Sequence, residues 1–181
     1  MTWAQMDSWC AAAGLRLPTE EEWEYACRAG STGAWSFGNG SSRLGEYAWF
    51  FRNSGKELLS PFEDWDKARV EGEWGCRPHA VMGLAPNAFG FHDMHGNLWE
   101  RCAPAGPGPL DDGPMGRATT AMRGGSWYSV SKWTRSASRH VSMHDNVARE
   151  VGRAQASSTD SVTWGGWRSP HIGFRPAADL P

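Results

Sequence analysis

The side chains able to do chemistry in this chain are few and widely spaced. Four cysteines, Cys10, Cys27, Cys76 and Cys102, form no Cys-x-x-Cys pair, and none follows residue 102; no zinc or dithiol signature is present. Cys10 and Cys27 fall on inward helical positions, so buried free thiols are expected there. The pairs His92/His95 and His140/His144 could each offer two nitrogens to a metal, but only on helical backbone. Neither segment reads as helix, so surface or hydrogen-bonding imidazoles are expected instead. No Ser-His-Asp order, Gly-rich phosphate loop or matched pair of acid–base carboxylates stands out.

The elements that must carry these groups are short. Thr2 and Gln5 form a capping box, apolar Trp3, Met6, Cys10 and Ala13 recur at helical spacing, and Gly14 supplies a left-handed stop. A first helix over about 3–13 follows. Thr19 caps a second helix over about 20–29, Glu22 closes its box, Glu20 and Glu21 complement the positive end of the dipole, and Gly30 ends it. Beyond residue 30 helical periodicity disappears. Short strands are expected at 97–101, 121–127 and 172–175, and the Pro-Gly stretch at 103–116 reads as loop.

The 181 residues, 40% apolar and 21% charged, suffice for one domain with one real core. Twelve Trp, 22 Gly and 11 Pro describe an irregular fold whose core is filled by large flat side chains. All but three of the 18 basic residues are arginine, whose planar fork pairs with carboxylates and stacks on indoles. With a net charge of −2 there is no electrostatic footprint for nucleic acid or an anionic membrane. No apolar run is long enough for a membrane span and no signal peptide is evident, so a cytoplasmic protein is the default expectation.

Four strings, in order, carry a resemblance: Gly14-Leu15-Arg16-Leu17-Pro18-Thr19-Glu20-Glu21-Glu22-Trp23-Glu24-Tyr25-Ala26, then 87–100 (Asn-Ala-Phe-Gly-Phe-His-Asp-Met-His-Gly-Asn-Leu-Trp-Glu), Arg123-Gly124-Gly125-Ser126-Trp127, and Ile172-Gly173-Phe174-Arg175. Together they resemble the formylglycine-generating enzyme, or sulfatase-modifying factor, family, whose fold is a variant of the C-type lectin fold. The resemblance implies an α+β fold: two helices, a small twisted antiparallel sheet and much irregular structure. It covers nearly the whole chain, so residues 1–181 read as a single domain. Family members usually carry strands upstream of the first helix. Without them the strand near 173–175 would keep an open edge, which a partner chain or a second copy could cover.

The resemblance also implies a calcium site: the side chains of Asp93 and Glu100 with the carbonyls of Gly96 and Leu98. A hard cation accepts such a mixture of oxygens; the alternative is that both carboxylates bond only to loop backbone or to an arginine. The copper-dependent enzymes of the family hold their metal with two cysteines after the Gly-Gly-Ser string. Those positions fall here on Ser129 and on Thr134 or Ser131, and hydroxyls cannot replace thiolates for Cu(I). No copper cofactor is therefore expected, and the reading leans away from an enzyme, with a formylglycine-generating oxidoreductase as the alternative.

The family also contains non-catalytic binders, the variable proteins of diversity-generating retroelements, with a recognition surface between the Arg-Gly-Gly-Ser-Trp and Gly-Phe-Arg strings. By that resemblance Tyr128, Ser129, Ser131, Trp133, Thr134, Ser138, His140, Ser142 and His144 become candidate ligand-binding residues, with Arg135, Ala137 and Arg139 as framework. Aromatics give contact area at low entropy cost and hydroxyls adapt their hydrogen bonding. Trp127 is expected in the core. Residues 128–170 form the candidate recognition segment, including an insertion from about 145 to 170 that could be a lid, a partner contact or a tolerated loop. The ligand, protein or small molecule, has no sequence signature.

Overall fold

The computed structural model describes residues 3–59, 69–103, 112–113, 117–143 and 171–179. Helix α1 spans Trp3–Ala12 and α2 spans Glu20–Arg28. The α2 capping box is complete: Glu22 N donates to Thr19 Oγ1 at 3.2 Å, and Thr19 N donates to Glu22 at 2.9 Å. The left-handed C-cap is Ala29, one residue before the glycine expected to end the helix. A short α3 (Leu44–Tyr47) leads into β1 (Ala48–Trp49).

β1 pairs in parallel with β2 (His95–Gly96). The larger sheet is built from β3 (Trp99–Arg101), β4 (Asp112–Gly113), β5 (Arg117–Arg123), β6 (Arg139–Met143) and β7 (Ile172–Phe174). Its order is β4-β5-β3-β7, and β6 lies on β5 in antiparallel register from Arg123↔Arg139 to Thr119↔Met143. β3 runs antiparallel to β5 and parallel to β7. This α+β arrangement agrees with the fold expected from the sequence.

β5 stops at Arg123, earlier than the expected 121–127 strand. Gly124 and Gly125 take φ of 90° and 79°, values that side chains resist. A Cβ on Gly124 would stand 3.0 Å from the Trp23 ring, and one on Gly125 would stand 2.9 Å from the Trp133 carbonyl. The strand must therefore turn where these two glycines let it. Residues 124–138 then make a loop whose ends are clamped by the Arg123↔Arg139 pair.

Three buried clusters fill the interior: Trp23, Cys27, Met94 and Cys102 under α2; Phe51, Leu59, Cys76 and Trp127 beneath the loop; Trp35, Leu44, Ala48 and Phe50 beside α3. Trp99 and Phe174, in the family strings, are only half-buried. β7 ends the sheet order, so no strand among the described residues covers its outer edge. The chain just beyond it is stapled to the segment after α1: Arg16 N donates to Ala177 O at 2.9 Å and Ala177 N to Arg16 O at 2.7 Å. Among the described residues no helix is long and apolar enough to cross a membrane.

Candidate functional site

The 124–138 loop has an inner and an outer side. Inward point Trp127, Ser129, Thr134 and Ser136, the last two fully buried. Outward stand Lys132, Arg135 and Ala137, with Trp133 at 44% exposure. The expected phase is thus reversed in part: Thr134 is internal, whereas Arg135, Ala137 and Arg139, expected as framework, face solvent. The reason is hydrogen bonding. A loop without ladder partners must satisfy its buried polar groups locally, and the small hydroxyls of Ser129 and Thr134 do this where guanidinium groups would not fit.

Ser129 and Thr134 need the same correction as ligand-binding candidates. Ser129 Oγ accepts from Ser126 N at 3.0 Å, and its carbonyl accepts from Phe51 N at 3.0 Å. Thr134 Oγ1 accepts from Trp35 Nε1 at 3.1 Å and donates to Ser131 O at 2.9 Å. Both hydroxyls close turns. Ser138 Oγ is likewise engaged, donating to Lys132 O at 2.9 Å. Tyr128 is half-buried against Phe51, Trp127 and His171. His140, on β6, is exposed with its ring 5.4 Å from that of Trp99. Ser142 lies on β6, two residues from His140, and His144 and the 145–170 insertion lie outside the described residues.

Beside this loop is a cavity of about 200 Å³ lined by Ser41, Phe50, Phe51, Arg52, Val130 and Ser131. Four of these precede the loop by about 80 residues in sequence, and the Phe51–Ser129 hydrogen bond that brings them together has no sequence signature. Sequence reasoning found Ser131 and missed Arg52. A guanidinium directly after two aromatics was the one local hint.

The carboxylates expected to hold calcium are differently employed. Glu100 accepts Trp23 Nε1 at 2.7 Å on Oε2, and Arg175 grips both of its oxygens at 2.7 and 3.0 Å. Asp93 accepts Met82 N at 2.7 Å on Oδ2, while its buried Oδ1 has no partner among the described residues. That lone oxygen suits a cation; Glu100 does not, because the Arg175 guanidinium already occupies it. Asp93, Gly96, Leu98 and Glu100 as arranged therefore do not fit one calcium ion held by both carboxylates.

The nucleophile and ligand candidates are quiet. All four cysteines are free and buried, and burial pushes the thiols of Cys27 and Cys102 up to about 12. His95 Nδ1 donates to Thr134 O at 2.8 Å, while its Nε2 accepts from Ser36 N at 3.2 Å and meets Ser36 Oγ at 3.0 Å. Burial holds this imidazole neutral, with its pKa lowered to about 4 against the opposing bond to Thr134. His92 Nδ1 bonds to Leu84 O at 2.7 Å. Among the described residues no cluster of three His, Cys, Asp or Glu side chains could hold a metal.

The chain is 31% identical over 182 residues to the inactive C-alpha-formylglycine-generating enzyme 2 of Mus musculus, covering 99% of this chain and 50% of that protein. Among solved structures it is similar to Treponema denticola variable protein 1, with a TM-score of 0.57 and 26% identity over 90% of this chain and 46% of that one. It shares its fold with PvdO from Pseudomonas aeruginosa, at a TM-score of 0.63 and 20% identity over 99% of this chain and 60% of that one. The chain thus spans about half the length of the mouse relative and of the Treponema protein. Residues 1–159 match the family model of the sulfatase-modifying factor enzyme 1-like domain, and the strings around α2, β2 and the Gly-Gly turn supply Trp23, Met94 and Trp127 to the buried clusters: the chain belongs to the sulfatase-modifying factor family.

Proposed function

We propose that this chain is a non-catalytic recognition module, in which the family scaffold presents the outer side of the 124–138 loop, with Ser131, Lys132, Trp133, Arg135 and His140, to a ligand. One observation carries the reading. Where the resemblance puts the enzymes' copper thiolates, at Ser129 and at Thr134 or Ser131, stand only hydroxyls, and those of Ser129 and Thr134 are buried and consumed in closing turns, so no soft ligand remains. The likeness to a protein named inactive and to one named a variable protein supports it. Trp133, steadied by Lys132 Nζ 4.9 Å from its ring centre, supplies the aromatic anchor that such surfaces use. Membership of the retroelement group belongs to the same reading, as does the lectin-type character of the fold.

The test is twofold. Purified protein supplied with Cu(I), oxygen, a thiol reductant and a cysteine-containing sulfatase peptide should form no peptide aldehyde and consume no oxygen beyond a protein-free control; turnover abolished by Ser129→Ala or Thr134→Val would overturn the proposal. A Trp133→Ala/His140→Ala double variant should lose binding of an identified partner while its unfolding free energy moves by under about 1 kcal/mol, since exposed substitutions rarely cost more than about 0.5 kcal/mol each. A near-identical downstream repeat differing at adenines in the coding sequence would mark a retroelement target.

A further inference from the structure

The described arginines with a carboxylate in reach all use it. Arg16 pairs with Glu22 and Asp179, Arg28 and Arg123 with Glu24, Arg43 with Glu46, Arg139 with Glu20 and Arg175 with Glu100. Arg52 has no such partner among the described residues, and neither do Lys132 and Arg135 on the adjoining loop. Arg52 is thus a cation without a carboxylate partner among the described residues, in a chain whose net charge is −2. The cavity at Arg52 is lined by that arginine, the hydroxyl residues Ser41 and Ser131, and apolar Phe50, Phe51 and Val130. Among the described residues its lining contains no carboxylate.

Each part of that lining selects. A planar guanidinium donates two parallel hydrogen bonds to a forked anion, and hydroxyls can add a third. Aromatic and aliphatic walls favour an apolar neighbour to that anion. The volume, about 200 Å³, falls below the roughly 300–1,000 Å³ of sites that enclose a whole small ligand. It fits one group of something larger that continues over the outer loop. The cavity and that loop are parts of one surface, because Ser131 lines the first and opens the Ser131–Thr134 turn that presents Trp133.

The geometry points to a carboxylate subsite centred on Arg52: the ligand of the recognition surface is a protein partner that inserts an acidic side chain, flanked by an apolar one, between Arg52 and Ser131. This rests on the recognition reading above and names the chemistry of its ligand. A free carboxylate metabolite would present the same group, so the probes must separate the two sources.

Two small probes isolate the subsite. In titrations of the isotope-labelled full chain followed by NMR, 3-phenylpropionate should shift the Arg52 side-chain and Ser131 amide resonances and bind about tenfold more tightly than its neutral amide, the loss expected when a charge-assisted pair is removed. Arg52→Gln should remove that preference, Arg52→Lys should keep part of it, and rising salt should weaken the acid but not the amide. The blocked dipeptide acetyl-Phe-Glu-amide should compete at the same resonances more tightly than 3-phenylpropionate. Equal affinity for acid and amide, or an unchanged preference in Arg52→Gln, overturns the subsite. A dipeptide weaker than the free acid overturns the protein partner in favour of a metabolite, and phenyl phosphate binding tenfold tighter than the acid overturns the carboxylate. Val81→Ala, at an exposed position outside the recognition surface, should leave probe affinity unchanged within about twofold, and failure of the subsite is separable from failure of the recognition reading, which the copper and oxygen assay decides.

Discussion

Several polar side chains in this protein are fully engaged in holding the fold together. His95 is the clearest case, with both ring nitrogens used and a pKa held near 4 by burial. A histidine whose folded pKa lies below its ordinary value of about 6.5 leaves stability intact above that value. As pH falls toward 4 the unfolded chain takes up a proton that the folded one refuses, and the loss approaches about 3 kcal/mol. Urea titrations at pH 7 and pH 4.5 should show it, and His95→Gln should lose measurably less between the two; equal losses would exclude His95 as the source. The thiols give a second outcome. With Cys27 and Cys102 raised to about 12 by burial, alkylation at pH 8 should be negligible in the native state and complete after unfolding, because the thiolate is the reacting species.

At the scale of elements, the joint between β3 and β7 depends on an ion pair as much as on three register positions. Glu100 is buried and receives Arg175 and Trp23 together. Glu100→Gln or Arg175→Met should each cost about 3 kcal/mol, because each strands a buried charge or its donors. The double replacement Glu100→Met/Arg175→Met should cost less than the sum of the two single changes, and additivity would refute the coupling. Since Arg175 supplies the positive charge at Glu100, excess chelator should leave the melting temperature unchanged; a clear drop would restore a calcium ion at Asp93. The two helices and the Thr19–Glu22 box were legible in the sequence because those signals are local. The strands were less so: β1, β2 and β4 are two residues each, and what makes them strands is a partner far away in sequence. β5 was displaced because Gly124 and Gly125 were read as part of a strand rather than as its end. Of the site, Trp133 and Ser131 were reached through the family resemblance, whereas Arg52 required knowing that Phe51 meets Ser129.

For the molecule as a whole, the three buried clusters are bridged rather than separate. His95 touches Cys27 in one and, through Thr134, bonds to Trp35 in another, while Phe50 of that second cluster is followed directly by Phe51 of the third. A single cooperative transition is expected, with tryptophan fluorescence and thiol exposure coinciding. Trp127→Ala should cost about 3–5 kcal/mol and advance exposure of Cys27 in the distant cluster to the same degree. Two separated transitions would mean that the chain contains independent folding units.

The clasp between Glu100 and Arg175 also has a history in time. Its partners are 75 residues apart, and a ribosome adding about 5–20 residues each second needs roughly 4–15 s to deliver the arginine after the glutamate has been made. Throughout that interval β3 has no β7 beside it, the Arg16 staple has no Ala177 to hold, and the carboxylate destined for the interior carries an uncompensated charge. The nascent chain must therefore keep its helices and Trp-rich segments from closing around Glu100, which makes the seconds before β7 emerges the period in which a holding chaperone would matter most.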